Sequence, residues 1–520
     1  MEKLSRPHLV TLAALPLALF NLEMLLRHQG GAFWIWHLVD PSYFYLLNGL
    51  MLAVGETPAD VFHPGTPVHV LVAAVLRLFH PFLSADDLAL AVLAEPEKYL
   101  KRISFFIMLL NAGALYFLGR SALRTFGRLL PAMAAQAAPF ATMFVLKHSY
   151  QVKPEPFLLL AASLMGLCLF EAMRKPTNML GRLPIAFGLV AGFGAASKLL
   201  FAPIALTPLF LLATRRNIAL YAAAAAAAFL VCLLPAAGNW DVSLAYFTRM
   251  AAGSGSYGGG PATFIDWSSY PSNLAKVFAG KPIFVALLLL SLAALAWRWK
   301  RRMSRGNAWK ALEGIVLAEL AMALLVAKHP IAYYMLAAVS LIGVQAALLI
   351  VLGEELLGKR NWWQPAMIAL LCVIGLSRLS AFLSDIGELN VRKRQALAVD
   401  MKSYEACTQV YFDFASNPAY ALYMGDMMAG WRWSEKLAAM YPAPNMVFMN
   451  FFTGDPRRWG EKIDLQAEFA KRPCAVLRGA WDYNMKTALA RFAPDFKLES
   501  QCQAGQEFLF ASGLEAKCGK

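Results

Sequence analysis

Charge is scarce in this sequence. Only 16% of its 520 residues are Asp, Glu, Lys or Arg, against 59% hydrophobic residues and a mean hydropathy of +0.50. Soluble domains carry about a quarter charged residues, so a soluble fold is excluded for most of the chain. Acidic residues are the scarcer sign, 33 against 48 basic, for a formal charge of +15. The basic residues form short clusters between apolar blocks and no continuous basic surface, which argues against nucleic acid as a partner. Cysteine is also rare, with seven in all, and no Asn-x-Ser/Thr acceptor site occurs. That absence favours a bacterial envelope over the lumen of the endoplasmic reticulum.

What is present is a series of apolar blocks of about 17 to 25 residues, the length of helix needed to cross a bilayer. The first, Leu9 to Leu26, carries Pro16, Asn21 and Glu23 and lacks a small-residue cleavage site, so it reads as a retained helix and not a signal peptide. Lys3 and Arg6 precede it, Arg120, Arg124 and Arg128 follow a second block at 103–119, and Arg174, Lys175 and Arg182 follow a pair at 129–146 and 156–173. Basic residues in short loops stay in the cytoplasm, and these clusters agree on one orientation. The stretch from Leu183 to Ala213 has Arg182 at one end and Arg215 with Arg216 at the other. It therefore needs two short crossings with a turn near Ser197 and Lys198. Lys198 then faces a polar cavity or partner, or snorkels to the interface. Blocks at 217–236, 282–298, 311–327, 331–351 and 364–383 complete about eleven crossings.

An odd count with a cytoplasmic N-terminus leaves residues 384–520 outside. The expected organisation is a membrane domain over 1–383 and a small α/β domain over 384–520, in a bacterial inner membrane with that domain periplasmic. Four of the seven cysteines, Cys407, Cys474, Cys502 and Cys518, fall in the tail, as an oxidising compartment allows. Their three possible pairings stay open. In the tail, β-rich runs at Val410–Phe414, Met446–Phe452 and Ala475–Leu477 alternate with helical stretches near 419–440 and 461–471, and a hairpin is expected around Ala504 and Gly505. No phosphate-cradling glycine loop, HExxH or CxxC occurs there. Trp431, Trp433, Trp459 and Trp481 read first as core, with a sugar or membrane surface as the alternative.

The first external segment, 27–102, is where polar groups concentrate beside the bilayer. His37-Leu38-Val39-Asp40-Pro41-Ser42-Tyr43-Phe44-Tyr45 leads into an amphipathic stretch ending at Val54, expected as a surface helix. Phe62-His63-Pro64-Gly65-Thr66-Pro67 then leads into a second stretch too short to span. Lys153-Pro154-Glu155-Pro156 opens a later span, Gly188 to Lys198 closes another, and His329-Pro330-Ile331-Ala332-Tyr333-Tyr334 opens a third.

In this order, over roughly residues 9–350, these elements resemble the GT-C glycosyltransferases, in particular the branch of protein O-mannosyltransferases and lipid A aminoarabinose transferases. The resemblance implies an α-helical polytopic membrane protein with juxtamembrane helices in the first external loop. It also implies transfer of a sugar from a polyprenyl-phosphate donor to a hydroxyl on a lipid, glycan or protein acceptor. Asp40 matches the family's essential acid, and Arg102 its basic residue at the second span. Pro41 follows Asp40 where many relatives have a second acid, and His63 stands where some have lysine.

Physical chemistry supports an acid at this place independently. The acceptor hydroxyl needs a base, and a departing phosphate needs charge stabilisation more than a proton. Asp40 is the expected base, although Asp40-Pro41 also has the form of a helix cap, and both roles can coexist. Arg102, Lys198, Lys328 and His329 are the expected phosphate partners, with interfacial anchoring as the alternative for each. His63, Tyr43, Glu155 and Tyr334 are the expected substrate contacts. Glu155 could instead favour its helix dipole or assist a divalent ion together with His63 or His148; a metal is possible and no other cofactor is implied. The glycine run from Gly253 to Gly260 suits a substrate lid or a plain linker. The rival from another class is a transporter or flippase of a lipid-linked sugar. It calls for polar residues on both sides of the midplane, whereas here they gather on the outer side.

Overall fold

A computed structural model of the chain describes residues 6–35, 41–62, 65–174, 182–253, 262–357, 363–450, 452–480 and 482–518. In chain order the first helices are α1 (Arg6–Gly30), α2 (Ser42–Ala53), α3 (Thr66–Phe79), α4 (Ala85–Ala94) and α5 (Pro96–Phe126). Next come α6 (Leu129–Ala135), α7 (Met143–Ser149), α8 (Glu155–Arg174), α9 (Arg182–Ser197) and α10 (Arg215–Leu233). They are followed by α11 (Trp240–Ala252), α12 (Tyr270–Phe278), α13 (Pro282–Lys300), α14 (Asn307–Ala327), α15 (Leu336–Leu357) and α16 (Trp363–Ala398). The tail adds α17 (Pro418–Met428), α18 (Ser434–Met440), α19 (Leu465–Ala470) and α20 (Asp482–Phe492). Among the described residues, six helical stretches are long and apolar enough to cross a membrane: Pro7–Gly30, Pro96–Phe126, Glu155–Arg174, Arg215–Ala252, Pro282–Lys300 and Ala332–Leu356. The chain is a polytopic membrane protein.

Two compact units divide it. The first comprises Met1–Met24, Val61–Val68 and Ser104–Phe382. At its centre α15 is largely buried and packs against α6, α8, α13 and α14. Helices α9 and α10 meet most closely, because Gly188 and Gly192 face the alanine run of α10. A Cβ on Gly192 would stand 2.3 Å from the carbonyl oxygen of Ala225, so only glycine permits this approach. The expected break near Ser197 and Lys198 is present: α9 ends at Ser197 and a 3-10 segment, Leu199–Leu206, follows. The expected crossing at 129–146 is not one helix. It divides into α6, a 3-10 turn at Ala138–Phe140 and α7, where Pro139 lacks a backbone donor and the Gln136 amide bonds the carbonyls of Leu12 and Leu115.

The second unit comprises Leu25–Asp60, His69–Ile103 and Leu383–Lys520. Its sheet has seven strands: β1 (Thr408–Tyr411), β2 (Met446–Met449), β3 (Pro456–Arg458), β4 (Glu461–Lys462), β5 (Ala475–Gly479), β6 (Ser500–Ala504) and β7 (Glu507–Ser512). Their order is β4-β3-β2-β1-β5-β7-β6, parallel at β2-β1-β5 and antiparallel elsewhere. Val410, Val447, Leu477 and Phe510 centre its core. The expected hairpin forms with Gly505 at φ 65°, a conformation glycine adopts freely. Strands β3 and β4 and helix α20 were not expected from the sequence. Cys407 pairs with Cys474 and Cys502 with Cys518.

Helix α2 departs from the expected surface helix, for eleven of its twelve residues are buried. It packs against α17 and α4. The indole Nε1 of Trp433 donates to the Leu47 carbonyl, the Asn48 amide donates to the Met428 carbonyl, and Asn48 Oδ1 accepts from the backbone N–H groups of Ala59 and Asp60. Arg432 clasps Glu56 through two bonds of 2.6 Å, and Lys436 reaches Asp86 at 2.9 Å. The tail domain and the first juxtamembrane helices are therefore one folded body.

Candidate functional site

In the first unit, four places where helices stop or start converge on one carboxylate. Glu155 opens α8 between Pro154 and Pro156, residues that fix the chain before and within the first turn. Lys198 sits in extended backbone, φ −159° and ψ 128°, at the break after α9. Its Nζ donates to Glu155 Oε1 at 2.6 Å, while Lys153 Nζ lies 3.7 Å from Glu155 Oε2. All three side chains are at least nine-tenths buried. A carboxylate this deep is held ionised by paired cations or not at all.

Aromatic rings wall the cluster. Lys198 Nζ stands 5.3 Å from the ring of Tyr333 and 5.2 Å from that of Tyr334, and Lys153 Nζ 5.5 Å from Tyr333. Such contacts favour a desolvated ammonium through the ring quadrupole. His148, at the end of α7, tilts against Tyr333 with centroids 4.8 Å apart, and its Nδ1 has no hydrogen-bond partner among the described residues. The cluster thus combines two fixed ammonium groups, one carboxylate, an imidazole and two phenol rings. Irregular backbone at membrane depth is tolerated where it lines such a polar centre.

The expected site residues separate as follows. Lys198, Glu155 and Tyr334 come together in this cluster. Lys328 instead donates to the carbonyls of Met250 and Ala251 at 2.9 and 2.7 Å, closing the end of α11, and its ammonium stands 4.9 Å from the Phe264 ring. His329 shapes the turn between α14 and α15 through its backbone: its N–H donates to Val326 O and its carbonyl accepts from Ile331 N. Arg102 belongs to the second unit and lies against Phe79 and Tyr99. Tyr43 is also in the second unit, where its hydroxyl donates to Glu97 Oε1 at 3.1 Å; burial foremost, then the Glu97 charge, pushes this phenol well above its ordinary pKa. Asp40 and His63 lie outside the described residues.

Sequence reading passed over Lys153 and Glu97 as functional groups. Lys153 had a signal in its spacing, two residues before Glu155 in a Pro-bounded run. Glu97 had none. It opens α5, where an acidic residue ordinarily answers the helix dipole, yet it accepts from the backbone N–H groups of Phe33 and Trp34 and from the Tyr43 hydroxyl. It thereby ties together residues on both sides of the 36–40 run.

A divalent ion fits the described residues poorly. No three His, Cys, Asp or Glu side chains among them converge as a ligand set, and the two ammonium groups on Glu155 would repel a cation there.

Residues 88–327, which hold the whole cluster except Tyr333 and Tyr334, match the model of Glycosyltransferase family 87. The match spans 240 of the 520 residues, and the chain is a membrane glycosyltransferase. Two solved structures resemble this glycosyltransferase along nearly its full length. ArnT from Cupriavidus metallidurans in the apo state gives a TM-score of 0.50 at 14% identity, covering 96% of this chain and 97% of that one. The same protein bound to undecaprenyl phosphate gives 0.49 at 13% identity with the same coverage. The apo comparison shows a shared fold, tail domain included. No curated protein matches its sequence.

Proposed function

We propose that this glycosyltransferase moves a sugar from a polyprenyl-phosphate donor to a hydroxyl acceptor, at the outer face of a bacterial inner membrane, with inversion at the anomeric carbon. The observation that carries the reading is the pairing of Lys198 and Lys153 on Glu155 beneath Tyr333 and Tyr334. Here two cations are held rigid and desolvated by their surroundings. Cations prearranged in this way stabilise the charge that grows on a departing phosphate without reorganising during the reaction. Lys198 and Lys153 are assigned to the leaving phosphate, and Glu155 orients them.

Asp40 is assigned as the general base. It would accept the acceptor's proton as that oxygen attacks the anomeric carbon and the carbon–phosphate oxygen bond breaks. A single displacement of this kind inverts the stereocentre. The donor's lipid tail accounts for a site built within membrane helices and needing no nucleotide-binding domain. The N-terminus is assigned to the cytoplasm and the tail domain to the periplasm, where its two disulfides are stable.

Comparative mass spectrometry of lipids and envelope glycans tests this reading, using cells with the gene, without it, and with Asp40→Asn. A sugar-bearing product present only with the native chain is the expected result. Full product formation by Asp40→Asn at normal expression would remove the base assignment, and an unchanged glycan and lipid profile on deletion would remove the proposed reaction.

A further inference from the structure

In the second unit, the end of α3 and the start of α5 present an arginine whose donors no protein group uses among the described residues. The guanidinium of Arg102 stands against aromatic rings, 4.3 Å from the centroid of Phe79 and 5.6 Å from that of Tyr99. Tyr99 is itself fixed, its hydroxyl 2.8 Å from His80 Nε2. Arg102 makes no hydrogen bond or ion pair among the described residues, although it is only half-exposed. The nearby acids are engaged elsewhere: Glu95 with Lys98 at 2.5 Å, and Glu97 with Phe33, Trp34 and Tyr43. Lys101, beside it, is exposed. A planar fork of five donors in a fixed orientation suits the oxygens of a phosphate ester.

The surface beside this arginine is apolar. Leu78 is 64% exposed, Phe79 42% and Phe82 97%. The turn carrying Phe82 is pinned, since Arg77 donates from Nε to the Ala53 carbonyl and from Nη1 to the Leu83 carbonyl, each at 2.8 Å. A rigid turn that offers a nearly bare phenylalanine beside uncommitted cations matches a lipid, with acyl chain against the rings and phosphate against the guanidinium. We propose that Arg102 and Lys101 bind the phosphate of an anionic glycerophospholipid whose chains lie along Leu78, Phe79 and Phe82. The site is a lipid site in its own right, separate from the assignment of the donor phosphate to Lys153 and Lys198.

Native mass spectrometry of the full-length protein, released from nanodiscs of mixed phosphatidylethanolamine and phosphatidylglycerol, tests this. The native chain should keep phosphatidylglycerol preferentially. Arg102→Gln should hold it about tenfold less well, with Arg102→Lys between the two because an ammonium lacks the planar fork. Phe82→Ser, at a side chain that packs on nothing, should weaken retention several-fold with an unchanged melting temperature, so the proposal stays testable if Arg102→Gln folds poorly. Equal retention by the native chain and all three variants overturns it. Complete displacement by millimolar inorganic phosphate overturns it in favour of a free-anion site. Loss of added undecaprenyl phosphate in place of phosphatidylglycerol, in the Arg102→Gln protein, overturns it in favour of a donor site.

Discussion

Lys198 Nζ donates to Glu155 Oε1 across 2.6 Å, joining the break after α9 to the first residue of α8. Lys153 approaches the other oxygen of the same carboxylate, so removing any member leaves buried charge without its counterpart. Breaking a buried pair of this kind costs about 3–5 kcal/mol. Glu155→Gln and Lys198→Met should each lower the detergent melting temperature clearly, and the double variant should cost less than the two single losses added together. Lys198→Met should also lower kcat at least about a hundredfold, the scale of one lost electrostatic contact to a leaving group.

Asp426 gives the tail domain a pH signature. Burial pushes its carboxyl up to about 6, against the bonds from Ser434 and the Trp433 N–H that favour the ionised form. The folded state thus binds a proton that the unfolded chain has released between about pH 4 and 6. Its contribution to stability is greatest at the acid end of that window and falls as pH rises through it, on the order of 3 kcal/mol in all. Asp426→Asn should flatten this slope in a melting-temperature series and be more stable than the native chain at pH 7.5. Glu56 acts in the opposite sense and lower down. The bond from Arg432 holds its carboxyl below the usual range, so that contribution is lost as pH falls below about 4.5.

Gly425 is where the tail presses on α2. A Cβ there would meet the Tyr43 carbonyl oxygen at 2.9 Å and the Leu47 side chain at 3.0 Å. Gly425→Val should expose the 383–408 connection to protease and reduce transfer, because α2 begins two residues after Asp40. If Gly425→Val left proteolysis and activity unchanged, the docking would not matter to the reaction.

The two disulfides should differ in worth. Cys407–Cys474 closes 67 residues and Cys502–Cys518 only 16. Loop-closure entropy assigns about 4 and about 3 kcal/mol. Chemical unfolding of Cys407→Ser/Cys474→Ser should show the larger loss.

Much of this molecule could be read from its sequence, and the gaps have physical reasons. The membrane class, the break at Lys198, the core strands β1, β2 and β5 and the β6–β7 hairpin follow from hydropathy, charge clusters, β-rich runs and turn glycine. The burial of α2 went unread: its stretch was expected to be amphipathic and at the surface, and its partner, α17, lies far along the chain. Cysteine pairing was hidden for the same reason. Cys407 and Cys474 meet because Thr408 and Ala475 are register partners in parallel β1 and β5, a matter of sheet order and not of spacing. Of the expected site, Lys198, Glu155 and Tyr334 assemble. Lys328 stands elsewhere, because a lysine near an apolar helix end can equally cap the carbonyls of a neighbouring helix, here those of α11.

Phosphate departs at the paired lysines in the proposed reaction, and release of free polyprenyl phosphate by purified protein in proteoliposomes measures it directly. With a labelled polyprenyl-phospho-sugar and a cell-envelope acceptor fraction, the native chain should release one polyprenyl phosphate for each sugar transferred, and Lys198→Met should release almost none within the same time. Transfer at the native rate by a folded Lys198→Met protein, or sugar translocation without any release, would contradict it.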